Sequence, residues 1–547
     1  MMLREETCAG GRYAPDFAPG GAADRIARQR GVIGDASTIA DAHRVFVERI
    51  AAADAKYGAD CGYREALRHA LATGGIAPAS QLLAALGGQG TAASCTVLPV
   101  AGPTDADRLA RAVVLIEAGS RRGLGCGVDL SDFDDPARGA RLINAATARL
   151  NRELRARRSR PPALMLTCDS RHPRSVEFAT VKSGADFGDW VANISLRVSG
   201  GDLEWERLRP VLAAAAHANG EPGVLFQRAA EADNPTPEYE IRSTAPCAEV
   251  FLAEGERCVF VSINLAAHVG EDDYDWLKLK HSIALCLRTA DNAVDIAAHD
   301  AEDVVLAKRR VGVGFCGFHT SLLMLGIPYS RSVRTARRLA EFLTYGCHRE
   351  SQRLAAERGP FPAFHTSRWT DRAWVGRKRA LRAGAVRPAD WRELEECIVR
   401  HGIRNASAVA FPPTGVVAEM LGVSRSYEPH FSLLGQTGVA SRFENTVPPE
   451  VRRHGIGVES LDSAGQLPGI GESHLLACAR QLTPDTHLRI HAAFSGFADD
   501  AASKTINLPA EATVDDVAAL FDRARSLGLK GLSVFRDGCL GENGDER

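Results

Sequence analysis

From Ala93 to about residue 510 the chain alternates strand-like and helical segments. That alternation confines it to an α/β architecture with a largely parallel sheet. Consecutive parallel strands can be joined only through a crossover, which is usually a helix. The first strand signal is Ala-Ser-Cys-Thr-Val-Leu-Pro-Val (93–100), and the first helix after it runs over Ala106–Ala118. Upstream, apolar residues recur at helical spacing from Ile39 to Leu86, through Ala40–Ala53 and Tyr63–Ala72, which predicts a helical cap. Residues 1–35 are rich in Gly, Ala, Pro and Arg and predict a loose leader. Past residue 510 come an amphipathic helix, Asp515–Ser526, a short strand, Gly531–Phe535, and a polar end. The expected division is leader 1–35, helical region 36–88, catalytic α/β domain 89–510 and C-terminal segment 511–547.

Composition narrows the class. The 547 residues are 45% hydrophobic and 24% charged, enough for a sizeable core. A net charge of −2 leaves no basic footprint for nucleic acid. No apolar segment follows Met1-Met2-Leu3-Arg4-Glu5-Glu6, and no apolar run reaches the length of a membrane span. A cytoplasmic protein with no membrane partner is therefore expected. The 13 cysteines lack regular spacing and include no Cys-x-x-Cys, which removes disulfide scaffolds, zinc ribbons and thioredoxin-like motifs.

Among the thiols Cys247 stands out. It lies in Ala245-Pro246-Cys247-Ala248-Glu249, and Cys258 follows, opening Cys-Val-Phe-Val-Ser-Ile-Asn-Leu. A cysteine two residues before a glutamate, on a proline-stiffened turn, sets a one-electron sulfur donor beside a carboxylate base. A hydrolytic cysteine needs an imidazole to lower its pKa, and no histidine lies nearby in sequence. The pairing suits radical chemistry on a polyol.

Six stretches together resemble the large catalytic subunit of ribonucleotide reductases, and within that family the adenosylcobalamin-dependent class II. They are residues 93–100, Ala245–Glu249 with Ser262–Leu265, Gly326-Ile-Pro-Tyr329, Glu357–Phe364, Pro413-Thr414-Gly415 running to Tyr427-Glu-Pro-His-Phe431, and Ala502–Pro509. They occur in family order between about residues 75 and 538. The resemblance implies a ten-stranded α/β barrel with a central finger loop, preceded by a helical N-terminal cap. It implies that Cys247 carries the thiyl radical that takes the 3′ hydrogen of the substrate ribose. Glu249 would take the 3′-hydroxyl proton, and Cys95 and Cys258 would deliver two electrons and end as a disulfide. Ser94, Ala245, Pro413, Thr414, Gly415, Val416 and Val417 fall at substrate-binding positions. Class II is implied because Lys530–Gly538 lacks the tyrosine pair of class I, and no glycyl-radical loop is recognisable. The expected cofactor is adenosylcobalamin, with no metal site of the protein's own. The expected partners are a ribonucleotide or related nucleoside substrate and an external thiol reductant such as thioredoxin. Monomer or homodimer, the protein would supply deoxyribonucleotides for DNA replication.

The departures from the family fall at the site. Ala245 and Ala248 replace the Asn and Gly of the usual finger motif, so an amide that meets the ribose is missing. Val416-Val417-Ala418 follow Pro-Thr-Gly where the family has Thr-Ile-Ser, which removes two hydroxyl donors from a phosphate-gripping helix start. At about 1 kcal/mol per neutral hydrogen bond, phosphate binding is weakened or rearranged. The stretch Arg157–Met165 stands where the family has a mobile effector loop, and Pro161 and Pro162 stiffen it. A lone Cys539 replaces a C-terminal cysteine pair. These changes motivate a second reading, a thiyl-radical enzyme of specialised metabolism acting on a nucleoside, modified nucleotide or other sugar. A third is a catalytically silent nucleotide-binding paralogue, against which stands the retention of all four reactive residues.

Other motifs carry less. Gly312-Val-Gly-Phe-Cys-Gly317 fits a dinucleotide fingerprint but lacks its closing acid; close helix packing is expected there. His487 and His491 have helical metal-pair spacing without a third ligand. Asp291–Asp295 lacks the Gly and Glu of a calcium loop, and Asp41-Ala-His43 is an incomplete cobalamin motif, one that class II enzymes do not use.

Overall fold

The computed structural model describes residues 17, 20–33, 38–58, 61–87, 92–157, 159–183, 190–298, 303–434 and 447–539. Its strands are β1 (Ile76–Pro78), β2 (Cys95–Val97), β3 (Gly125–Asp129), β4 (Ala163–Asp169), β5 (Asn193–Val198) and β6 (Gly223–Phe226). They continue with β7 (Ser243–Thr244), β8 (Phe251–Leu252), β9 (Arg257–Asn264), β10 (Val311–Cys316), β11 (Thr505–Leu508) and β12 (Gly531–Arg536). No helix of the described residues is long and apolar enough to cross a membrane.

Strands β2 to β6 pair in parallel, in sequence order, through helical crossovers such as Asp105–Arg121 and Pro136–Ala156. Side chains end these helices locally: Thr104 accepts from the Asp107 amide, and Asp135 precedes a proline in the first turn. A second parallel set runs the other way. β10 lies beside β9, Val313 bridges Val409, Phe411 bridges Ala502, and β11 pairs with β12. The sets join antiparallel at both edges, β2 with β9 and β12 with β6. The sheet therefore closes into a barrel whose staves are β2–β6, β9, β10, segment 408–411, β11 and β12. β1 adds to β9 beyond the end of β2.

Because strand side chains alternate, each stave has an inner and an outer set. On β5, Ile194, Leu196 and Val198 pack outward into the main core with the helices, as do Leu164, Leu166 and Cys168 of β4 and Cys126 and Val128 of β3. Apart from Met165, the inner sets are small or polar: Gly125, Gly127 and Asp129; Thr167 and Asp169; Asn193, Ser195 and Arg197. A polar interior with glycines leaves room for a guest segment, the β7–β8 hairpin.

Two sequence boundaries shift. The C-terminal segment 511–547, expected to lie outside the 89–510 domain, supplies a stave, since β12 lies between β6 and β11. Within the expected leader, Ala22–Gln29 is a helix that buries Ala23, Ile26 and Ala27 and packs on helix Gly415–Leu421. Arg30 holds Glu419 of that second helix through two contacts of 3.1 Å. Residues 1–16, 18–19 and 34–35 of the expected leader lie outside the described residues.

Motifs far apart in sequence share one core. Tyr329 donates its hydroxyl to the Tyr427 carbonyl at 2.7 Å, Tyr427 donates to the Ser503 carbonyl at 2.6 Å, and Lys504 pairs with Glu428. Gly312 and Gly314 lie on β10 itself. A Cβ at Gly314 would fall 2.4 Å from the Ala410 carbonyl oxygen, and one at Gly312 would strike Phe260. Close packing explains this motif, but against neighbouring staves rather than a helix.

Candidate active site

The β7–β8 hairpin is the finger. Ser243 pairs with Leu252 and Thr244 with Phe251, and the Ala245 amide donates to the Val250 carbonyl at 3.0 Å. Its base is held by charge: Arg197 reaches Asp129 at 2.9 Å, and Arg242 reaches the same carboxylate at 3.1 Å. Thr167 and Ser243 share a hydroxyl contact of 2.8 Å. Stave β3 lets the finger pass because it has no side chain to offer. A Cβ at Gly127 would lie 2.1 Å from the Thr244 carbonyl oxygen, and one at Gly125 would lie 2.9 Å from the Pro246 ring.

The tip, Ala245-Pro246-Cys247-Ala248, is a turn closed by the Ala248 amide on the Ala245 carbonyl at 2.9 Å. Proline occupies the second position, where its fixed φ fits. Ala248 has φ 58°, the left-handed region that favours glycine and costs an L-residue about 1 kcal/mol. The family's glycine position thus keeps its backbone here without the residue that relieves it.

Three thiols and a carboxyl converge. Cys95 and Cys258 are direct partners in the antiparallel β2–β9 pair. Residues so opposed have Cα atoms roughly 4.5–5.5 Å apart, within the span of a disulfide. Both are free thiols. Cys95 donates to Glu249 Oε1 at 3.7 Å, and Cys247 and Cys258 are also among its electrostatic neighbours. Cys95, Cys258 and Glu249 are buried. Cys247 differs: solvent reaches it, yet the protein around it is dense enough to push its thiol far up. Both hold for a sulfur that projects into a cavity within the barrel, not onto the outer surface.

Electrostatics keep the thiols protonated. Burial, then the charge of Glu249, raises Cys95; burial, then Asp500, raises Cys258. Thiols held this way are hydrogen-atom and electron donors, not nucleophiles. Burial pushes Glu249 up to about 7, while backbone amides and the Cys95 thiol pull the other way. Its Oε2 is buried without a protein partner, an acceptor aimed at nothing the chain supplies. A base poised near neutrality with one free oxygen is suited to take a hydroxyl proton.

Comparison with known proteins places the barrel in a family. The family model described as the ribonucleotide reductase barrel domain matches residues 168–535. The chain belongs to the ribonucleotide reductase family. Among curated proteins it is similar to the vitamin B12-dependent ribonucleoside-diphosphate reductase of Mycobacterium tuberculosis, 32% identical over 346 residues, or 60% of this chain and 46% of the relative. The protein of the same name in Thermoplasma acidophilum is 28% identical over 343 residues, covering 59% and 41%. The vitamin B12-dependent ribonucleotide reductase of Streptomyces clavuligerus is 24% identical over 408 residues, covering 66% and 42%. The chain thus spans less than half the length of these relatives.

Within this reductase barrel the substrate-binding candidates divide. Ala245 is wholly buried in an apolar cluster with Val97, Val250, Leu252, Phe260 and Ala410, so no polar group replaces the missing amide there. Ser94 is buried, and its hydroxyl accepts from the Phe260 amide at 3.2 Å. Pro413, Thr414, Gly415 and Val416 are half-buried and Val417 is buried. Thr414, at φ 53°, uses its hydroxyl to accept from the Ser426 amide at 2.7 Å. Beside Gly415 a Cβ would meet nothing within 4 Å, which leaves space at the start of that helix.

Arg160 escaped the sequence reading as a site residue, because it sits among arginines that look solvated. Arg157 does pair outward with Glu153. Arg160 instead bonds Ser80 at 3.3 Å and acts on Cys95 and Cys247. Arg158 lies outside the described residues. The set-aside motifs have structural employment. His491 contacts the Tyr427 hydroxyl at 2.9 Å, and His487 contacts the Ala479 carbonyl at 3.0 Å. Asp291 is a helical residue that pairs with Arg309, Arg358 and Arg404. Asp41 caps its helix with Thr38, and His43 meets Phe17 edge-on.

Proposed function

We propose that this protein is a class II-like ribonucleotide reductase that uses adenosylcobalamin and removes the ribose 2′-hydroxyl of a ribonucleoside phosphate. The observation that carries this reading is the register of Cys95 opposite Cys258, with Glu249 3.7 Å from Cys95 and Cys247 beside them.

The site fits a radical generator that approaches from the cavity. Cys247 is the member of the quartet open to it, the other three are closed, and Arg160 is the cationic group at that wall. When bound, adenosylcobalamin supplies by homolysis the organic radical that takes the hydrogen atom from the Cys247 thiol. The residues do the rest. The Cys247 sulfur removes the 3′ hydrogen of the ribose, and Glu249 accepts the 3′-hydroxyl proton on its free oxygen as the 2′-hydroxyl departs as water. Cys95 and Cys258 together give up two hydrogen atoms, one replacing the hydroxyl at C2′ and one leaving in the water, and form a disulfide. Glu249 gives its proton back to the 3′ oxygen, and Cys247 returns its hydrogen atom to C3′. Burial protects this sequence: a dry, closed pair of thiols keeps water from quenching the intermediates. An external dithiol, such as thioredoxin, reduces the disulfide by exchange, which requires a reducing compartment and suits the cytoplasm.

The test is to incubate the protein with adenosylcobalamin, dithiothreitol and each ribonucleoside di- or triphosphate. Deoxynucleotide is the expected product. Loss of tritium from the cofactor's 5′ position without any deoxynucleotide would overturn the substrate and leave the radical chemistry standing.

A further inference from the structure

Stave β5 sends Asn193, Ser195 and Arg197 to the barrel interior, while Ile194, Leu196 and Val198 face the helices. Ser195 and Arg197 are buried, but Asn193 is exposed. A side chain that points inward and still meets solvent lies on the wall of the internal cavity. The cavity is the one that Cys247 faces, because Asn193 Nδ2 donates to the carbonyl oxygen of Pro246 at 3.1 Å, the residue before Cys247. That contact also settles the orientation of the carboxamide, since a carbonyl can only be met by the N–H side. No other hydrogen bond is made by the side chain among the described residues. Its Oδ1 and second N–H are free for a ligand.

A ribose hydroxyl both gives and accepts a hydrogen bond. Arg160 can only donate, and an ionised Glu249 can only accept. Ser94 spends its hydroxyl on the Phe260 amide, and Ala245 offers nothing. Among these residues Asn193 offers both functions beside the Cys247 sulfur.

We propose that Asn193 is a substrate-contacting residue whose carboxamide hydrogen-bonds the 2′-hydroxyl of the nucleotide bound over Cys247. The polar function absent from position 245 is thereby supplied from a barrel stave, across from the finger rather than on it. One carboxamide holds both the finger tip and the sugar, so substrate engagement is registered directly at the turn that carries Cys247. This inference rests on the proposed ribonucleotide substrate.

The test compares binding of each ribonucleoside di- or triphosphate with its 2′-deoxy counterpart, by competition, in the wild type, Asn193→Ala and Asn193→Leu. The leucine variant keeps the volume and guards against collapse of the site. Loss of about one hydrogen bond predicts a roughly tenfold weaker ribonucleotide, with the 2′-deoxy nucleotide changed less than about twofold. Equal weakening of both would mean that Asn193 only braces Pro246, and unchanged ribonucleotide affinity would mean that it touches no substrate. Either result overturns the inference while leaving the reductase reading intact. A wild-type protein that neither binds nor reduces any ribonucleotide would instead overturn that reading.

Discussion

Two buried regions meet at Cys258 and differ in kind. On one side Cys95, Cys258 and Ala245 lie among Val97, Val250, Leu252, Phe260 and Ala410, without a charge of their own. On the other side Glu256 is held by Lys308 at 2.7 Å and by Arg310 at 2.5 Å, and Arg310 goes on to Asp500. His348 binds Asp499 at 2.9 Å, and Lys530 reaches Asp233 at 3.0 Å. The apolar side keeps S–H bonds intact. The ionic side fixes where strands end: Lys308 and Arg310 flank the start of β10, Glu256 precedes β9, and Asp499 accepts from the amides of Ala408 and Val409 at 3.0 and 3.3 Å. Buried ion networks contribute little net stability beyond apolar packing, but each member depends on the rest. The contrast shows one barrel using dryness for chemistry and charge for placement.

Breaking the dry side should have the largest effect. Cys247→Ala should abolish deoxynucleotide formation while the thermal midpoint stays within about 2 °C, because the side chain is exposed to the cavity and carries no packing. Glu249→Gln should lower kcat roughly 10²- to 10⁴-fold, the usual contribution of a general base, with the fold retained by circular dichroism. Breaking the ionic side should act on stability first. Arg310→Met leaves Glu256 and Asp500 buried with one partner fewer and should cost about 3–5 kcal/mol in urea unfolding.

Glu249 also separates the regions by pH. Its folded pKa, about 7, lies above the ordinary 4.5. Its contribution to stability is therefore complete below about pH 4.5 and is lost as pH rises to about 7, by roughly 3 kcal/mol. Glu249→Gln should match the wild type in stability at pH 4 and exceed it at pH 8. Wild-type kcat/KM should rise about tenfold per pH unit below 7 and level off above it. The smallest effect belongs to Ala248→Gly. Relief of the left-handed strain is partly offset by the greater freedom of glycine in the unfolded chain, so the unfolding free energy from urea titration should change by less than about 1 kcal/mol.

The alternation of segments made the α/β class legible, and the order of six motifs made the barrel legible, along with the four residues that the fold brings together in it. Register was not. Nothing along the chain shows that Cys95 stands opposite Cys258, since they are 163 residues apart and only strand pairing brings them together. β12 fell outside the expected 89–510 domain because a short strand carries no mark of its partners. The inner-facing glycines of β3 are understandable only once the finger passes them. Arg160, just before β4, and Asn193, at the start of β5, escaped for a related reason: each is an ordinary residue type whose surroundings only the fold supplies.

Closure of the sheet by β12 has a bearing on biosynthesis. The stave between β6 and β11 is the last to emerge from a ribosome, and until residue 536 is free the edges of β6 and β11 have no mutual partner. Until then the nascent chain carries Cys95 and Cys258 in an open half-shell, and only the arrival of β12 shuts it.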